Sequence, residues 1–359
     1  MRASRYIFSH LWPPTLFVIL VGWLLFSLLD GMETARWLAH GTFPQVIFFY
    51  LLRAPDVMME LMNPGLVLGT LAGLGALNRR AEMAALSASG RSLATTALPA
   101  VLALGVMLAG ARVVLSELVR PVTSMEALEM STNIFRLFGP RYYAFYGRSE
   151  WVRAGPIYAR AQPQDDNVFA HVTGAVIDEN LQIKERLVAR RISALDEHTF
   201  VLEDAVINKL DPPRMERVRK RRMEWPSAAA ALSVPMGYPE MYDVAGLERA
   251  IRHREAGGRD ASPYRVALVR RFVDPVMLVF LGALAVALAA RQRREAAVER
   301  LLFVGGVAVA AAQGVVMACD ELAGRALLPL WVGGMGAPLA VAVAAVLFWR
   351  RVEQSKAMR

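Results

Sequence analysis

The sequence predicts an α-helical transmembrane protein of six spans with an inserted all-β, jelly-roll-like domain on the outer side of the membrane. Three observations predict it. The 359-residue chain is 55% hydrophobic, with a mean hydropathy of +0.34, more apolar than soluble domains usually are. Its apolar residues gather into runs long enough to cross a bilayer. One long polar interval interrupts those runs and alternates like β-strands.

A span needs about 20 apolar residues. The first is Leu11 to Leu29, preceded by Arg2 and Arg5 and followed by no small-residue cleavage site, so it reads as a retained span. A short interfacial helix, Phe43 to Leu52, is expected before the second span within Val57 to Leu77. That span carries Gly69 and Gly73 in G-x-x-x-G spacing, a stripe continued by Ala72 and Ala76. Small side chains let another helix approach closely, which is how spans associate in lipid. The third span is Leu93 to Leu118, and the last three are Val266 to Ala290, Leu301 to Ala318 and Leu327 to Trp349. Pro275, just after Asp274, predicts a kink in the fourth.

Between spans two and three the character flips to Asn78, Arg79, Arg80 and Glu82, then a mixed segment closes at Gly90. This reads as a cytoplasmic elbow, a short coupling helix over residues 78–91 in which Gly90 suits a left-handed helix end. The arginines agree. Arg2 and Arg5, then Arg79, Arg80 and Arg91, then Arg291, Arg293, Arg294 and Arg300, then Arg350 and Arg351 all fall on one side, which the positive-inside rule makes the cytoplasm. Both termini then lie there as well. The formal charge of +9 is thereby assigned to loops, not to nucleic-acid binding.

The interval between spans three and four must face the other side, the periplasm if the cell has two membranes. The chain thus divides into residues 1–120, 121–262 and 263–359. After a helical lead from Val122 to Leu137, strands are expected at Trp151 to Arg160, Val168 to Asp178, Gln182 to Ile192 and Thr199 to Lys209, with polar turns between them. Such spacing suggests an antiparallel sandwich or jelly roll. From Val244 to Ala256, Leu247, Ala250 and Ile251 share a helical face, suited to a membrane surface. Cys319 is the only cysteine, so no intrachain disulfide forms.

Chemistry-bearing motifs are sparse. None of the four lysines closes a phosphate-binding loop, the five histidines lack metal-ligand spacing, and no nucleophile elbow occurs. An enzyme is disfavoured; a transporter subunit or receptor fits better. In the elbow, Met83 and Leu86 on one side of a short helix would plug into a groove on a soluble motor, with Glu82 paired to a basic residue there. The bland alternative is a solvated loop helix. Arg120, Arg270 and Arg271 share the outer level and offer guanidinium groups to phosphates, or else snorkel to lipid headgroups. Asp30, Glu33 and Arg36 after span one, and Asp320 and Glu321 after span five, mark membrane edges.

Taken in order, these pieces resemble the LptF/LptG permease family of lipopolysaccharide export. The resemblance rests on Arg5-Tyr6-Ile7, Pro55, and Leu68-Gly69-x-Leu71-x-x-Leu74-Gly75-x-Leu77. It continues through Glu82-x-x-x-Leu86-x-Ala88-Ser89-Gly90, Glu117-x-Val119-x-Pro121, Tyr264, Pro275 and Asp320. Gly246-Leu247 and Asp320-x-x-x-Gly324 look more like LptG than LptF.

The resemblance implies pairing with the other permease (LptF, if this chain is LptG) and a cytoplasmic LptB ATPase dimer. The elbow (Arg79, Arg80, Glu82, Met83, Leu86, Ser89 and Gly90) would be the ATPase contact. ATP and Mg would be held by that partner, leaving this chain without a cofactor. Lipopolysaccharide would enter through gates formed by spans one and five, meeting Glu33, Arg36, Arg120, Arg270 and Arg271. It would leave through the β-domain to LptC and then LptA. Acyl burial is worth about 0.8 kcal/mol per CH₂, so extracting a many-chained lipid costs tens of kcal/mol unless the receiving cavity is itself apolar. A different class of reading is a non-transporting membrane scaffold whose β-domain recruits periplasmic proteins by edge-strand addition.

Overall fold

The computed structural model describes residues 2–80, 82, 93–135, 152–154, 157–165, 168–177, 182–195, 199–210, 213–224, 239–256, 260–290, 298–325 and 327–357. The chain divides into two compact units, residues 1–137 with 266–359, and residues 138–265.

The first unit is helical. Its elements are α1 (Arg2–Leu38), α2 (Phe43–Arg79), α3 (Leu93–Val114), α4 (Arg120–Asn133), α6 (Ser262–Ala290, shared at its start with the second unit), α7 (Val298–Gly324) and α8 (Leu330–Ala357). Among the described residues, six helical stretches are long and apolar enough to cross a membrane. The expected interfacial helix is not separate, because α2 runs unbroken from Phe43 through Pro55 and Pro64 to Arg79. Its start is fixed by Thr42, whose amide donates to Gln45 Oε1 at 2.8 Å. The core lies between the helices and includes fully buried Leu11, Leu66, Leu71, Leu104 and Leu278.

Between α3 and α4 the helix widens to a π turn, Leu115–Val119, and continues. The helical lead thus begins at Arg120, and α4 belongs to the helical unit. Phe135 just beyond it is fully buried beside Leu38, Leu52 and Ala127, with its ring 5.2 Å from that of Phe49. The boundary between units therefore falls after Leu137 instead of at Arg120.

The second unit holds β1 (Val152–Ala154), β2 (Ile157–Asp165), β3 (Val168–Ile177), β4 (Ile183–Ala194), β5 (Thr199–Leu210) and β6 (Pro213–Glu224), followed by α5 (Val244–Ala256). Each strand pairs antiparallel with the next, so the sheet is a six-stranded meander. The described strands form one antiparallel sheet with one apolar face and no crossing connection, so their order is that of a meander where a jelly roll was expected. That face is built from Ile157, Ala159, Val172, Leu187, Ala189, Ile192, Phe200, Leu202, Ala205 and Ile207.

Alternation slips once along it. On β5 the buried residues are Phe200 and Leu202, then Ala205 and Ile207. On β4 they are Leu187 and Ala189, then Ile192. Register stays constant across the slip, with Arg191 opposite Glu203 and Ala189 opposite Ala205. His171 on β3 and Asp204 on β5 have φ of 49° and 51° on the line where it happens. Left-handed backbone at Asp204 accompanies this exchange of the inward-facing set on β4 and β5, whose pairing is unshifted, while opposite His171 the β2–β3 pairing slips by one residue between Arg160 and Gln162.

On α5, Leu247 and Ala250 are fully buried. The face expected to lie on a membrane surface is instead covered by protein.

Candidate functional site

α2 gathers the features of interest. Its small residues form a seam with α1. A Cβ on Gly69 would meet Thr15 Cα at 2.5 Å and Thr15 N at 2.7 Å. On Gly73 it would meet Leu11 Cδ2 at 2.7 Å and the His10 carbonyl at 3.0 Å, and on Gly65 it would meet Ile19 Cγ1 at 2.5 Å. Helices lacking Cβ atoms at the crossing can bring their backbones together, where dispersion and weak backbone contacts replace the hydrophobic effect. The seam's third member is Gly65, not Ala72 or Ala76; Ala76 is exposed. Elsewhere on α2, a Cβ on Gly75 would lie 3.0 Å from Val298 Cγ2, and Leu71 packs onto Gly305. One helix therefore supports the N-terminal halves of both α1 and α7.

The elbow begins where α2 ends. Arg79 and Arg80 are exposed, and the Arg80 amide donates to the Ala76 carbonyl at 3.2 Å. Glu82 is half-buried and helical, and its Oε2 accepts from the Tyr6 hydroxyl at 2.6 Å. Met83, Leu86, Ser89 and Gly90 lie outside the described residues.

The arginines expected at the outer level each face a carboxylate. Arg120 contacts Asp56 Oδ1 at 2.5 Å, an ion pair without hydrogen-bond alignment, while the Ser124 hydroxyl donates to the other Asp56 oxygen at 3.1 Å. Arg270 is shared by Asp320 at 2.9 Å and Asp274 at 3.7 Å. The Arg271 side chain is 8% exposed, 3.7 Å from Glu117; it donates to the Ser116 carbonyl at 3.1 Å. The π turn explains that last contact: an extra residue in a turn frees carbonyls from the helical ladder, and Arg271 takes one. Glu33 is exposed, and Arg36 lies in α1 with its side chain outside the described set.

Sequence reasoning missed two members of this layer. Arg112 donates to Asp274 Oδ2 and to the Met59 carbonyl, both at 2.5 Å. Arg53 pairs with Asp30 at 2.8 Å, and Tyr50 donates to the same carboxylate at 2.9 Å. The available signal was the presence of opposite charges inside separate apolar runs, which lipid permits only when they meet. The acids from α1, α2, α6 and α7 thus neutralise arginines on α2, α3, α4 and α6. Carboxylate and phosphate both suit the guanidinium fork, so the layer is chemically able to exchange one anion for another.

In the second unit, the apolar face of the sheet borders a cavity of about 530 Å³. Ile157, Val176, Leu187, Ile207 and Met223 line it, and Arg221, Arg222, Glu185 and Glu224 also contribute. β6 beside it carries Arg214, Arg217, Arg219, Lys220, Arg221 and Arg222, with only Val218 and Met223 half-buried.

No curated protein matches the chain. A family model does: lipopolysaccharide export system permease LptF/LptG matches residues 5–351, from the first turns of α1 to the last turns of α8. That near-complete match takes in the six apolar helices and the inserted sheet alike, and it does not separate LptF from LptG. The chain belongs to the LptF/LptG family of lipopolysaccharide export permeases.

Proposed function

We propose that this permease is the LptG-like half of an ATP-driven exporter that lifts lipopolysaccharide from the outer leaflet of the inner membrane. Its termini and elbow are cytoplasmic, and its sheet is periplasmic. ATP and Mg are bound by a separate LptB dimer. The other permease, LptC and LptA complete the path.

The observation that carries this reading is the position of α2. It leads directly into the elbow while its glycines hold α1, and Gly75 and Leu71 hold α7. A push on the elbow therefore reaches both helices that carry exposed apolar faces, Phe17, Leu24 and Leu28 on α1 and Phe303, Val307 and Met317 on α7. Those faces suit acyl chains and the partner permease. Phosphates of the entering lipid then compete with Asp320, Glu117 and Asp56 for Arg270, Arg271 and Arg120, with Glu33 and Arg36 nearer the end of α1. The apolar side of the sheet's cavity, Ile157, Val176, Leu187, Ile207 and Met223, receives the acyl chains next, for the energetic reason that greasy surface must not pass through water.

The test is purification of the intact complex from membranes. An ATPase should co-elute, and its turnover should rise with added lipopolysaccharide. Glu82→Ala should weaken ATPase retention or uncouple hydrolysis from lipid release. Normal retention and normal release in that variant would remove the elbow from the mechanism. The scaffold reading draws on one observation, that β6 is outermost among the described strands. It requires co-elution of periplasmic proteins without any ATPase.

A further inference from the structure

We infer that Tyr6 is a positioning residue for the elbow, holding the Glu82 carboxylate against α1 so that displacement of the elbow is delivered straight to that helix. This rests on the coupling role proposed for Glu82. Seventy-six positions separate the two residues, so their meeting is a tertiary feature, not a local turn. The phenol donates to Oε2 at 2.6 Å, a short distance typical of a hydroxyl on a charged acceptor.

The base of the contact is firm. Ile7 and Leu11, next to Tyr6 and one turn beyond it, are fully buried. Gly73 lies against the His10 carbonyl, and the Tyr6 ring centroid is 4.3 Å from that of His10. The glycine seam joins α1 and α2 within the bilayer, and the Tyr6 bond joins them again past its end. Two attachments at different levels resist rotation as well as separation. With the seam alone, an elbow pushed sideways would pivot about the end of α2. With the bond in place, the first turn of α1 must follow.

The experiment is a double-mutant cycle in the reconstituted complex, reading lipopolysaccharide released per ATP hydrolysed for wild type, Tyr6→Phe, Glu82→Ala and the double variant. Tyr6→Phe deletes one exposed oxygen. Release per ATP should fall roughly three- to tenfold, the range that one net hydrogen bond represents, and should fall no further when Glu82 is already alanine. Additive losses would show that Tyr6 acts independently of Glu82 and overturn the inference. So would a neutral Tyr6→Phe beside a damaging Glu82→Ala, an outcome that leaves the elbow reading standing. A neutral Glu82→Ala would overturn both. If Tyr6→Phe does not assemble, a fluorinated tyrosine at position 6 in the intact complex serves. Its fluorine resonance should move on ATP addition in the wild-type background and stay still with Glu82→Ala; movement in both would overturn the inference.

Discussion

At the scale of single residues, what matters is which charge meets which. Arg120, Arg270 and Arg271 are legible in the sequence as outer-level cations, but their partners are not. Asp56, Asp320 and Glu117 come from other helices, and only folding brings them within 3.7 Å. Glu82 is legible as an elbow acid, whereas its bond from Tyr6 is a tertiary fact that no local pattern announces. Outside the membrane, Asp260 makes a prediction of its own. It accepts from the Ser262 amide at 2.8 Å at the start of α6, and its bonds from Ser262 hold its carboxyl below the ordinary value of 3.8. A carboxylate whose pKa is lowered by folding adds stability that is complete above the unfolded value and disappears as pH falls through the folded one. Asp260→Ala should therefore speed hydrogen exchange in the first turn of α6 at neutral pH, by the roughly 1 kcal/mol usual for a lost cap. Wild type should approach the variant's rate only in acid below the unfolded value.

Helices and strands tell a different story, because periodicity is local and reads directly. The G-x-x-x-G spacing on α2 pointed to a close crossing, and Gly69 and Gly73 make it against α1. Spacing alone did not identify Gly65 as the third member, since the direction in which a seam continues depends on where the neighbouring helix lies. Gly69→Ala tests the seam. Its new Cβ has Thr15 backbone at 2.5 and 2.7 Å and cannot be relieved by a rotamer change. Loss of about 1–3 kcal/mol is expected from overpacking, seen as a lower unfolding midpoint in detergent. Gly306→Ala, on the same scale of change but with open space around it inside α7, should not lower the midpoint and should raise it slightly through helix propensity. Among the strands, β2 to β5 carry apolar alternation and were readable, whereas β6 was not. Its run of arginines gives no inward-facing set, and its place in the sheet comes from backbone pairing with β5, for instance Val218 opposite Ala205. The change of facing on β5 was hidden for a related reason: a left-handed residue at Asp204 leaves each half of the strand looking regular.

For the whole molecule, six apolar helices and an inserted sheet were visible in hydropathy and turn spacing, because bilayer thickness and the strand period impose both. The arginine distribution further predicts a fixed orientation. In cells with the outer membrane permeabilised, added protease should cut within the inserted unit and leave an epitope at either terminus intact. Cleavage of the terminal epitopes without lysis would reverse the orientation and with it the elbow's access to a cytoplasmic ATPase.

The neighbour-to-neighbour order of the six strands has a consequence for biogenesis. No described strand waits for a distant part of the chain; Leu210 already faces Pro213 across the last turn. Short-range pairing of this kind is the kind that forms quickly. The sheet can therefore grow one hairpin at a time while the polypeptide is still being made, before the three later helices have been synthesised.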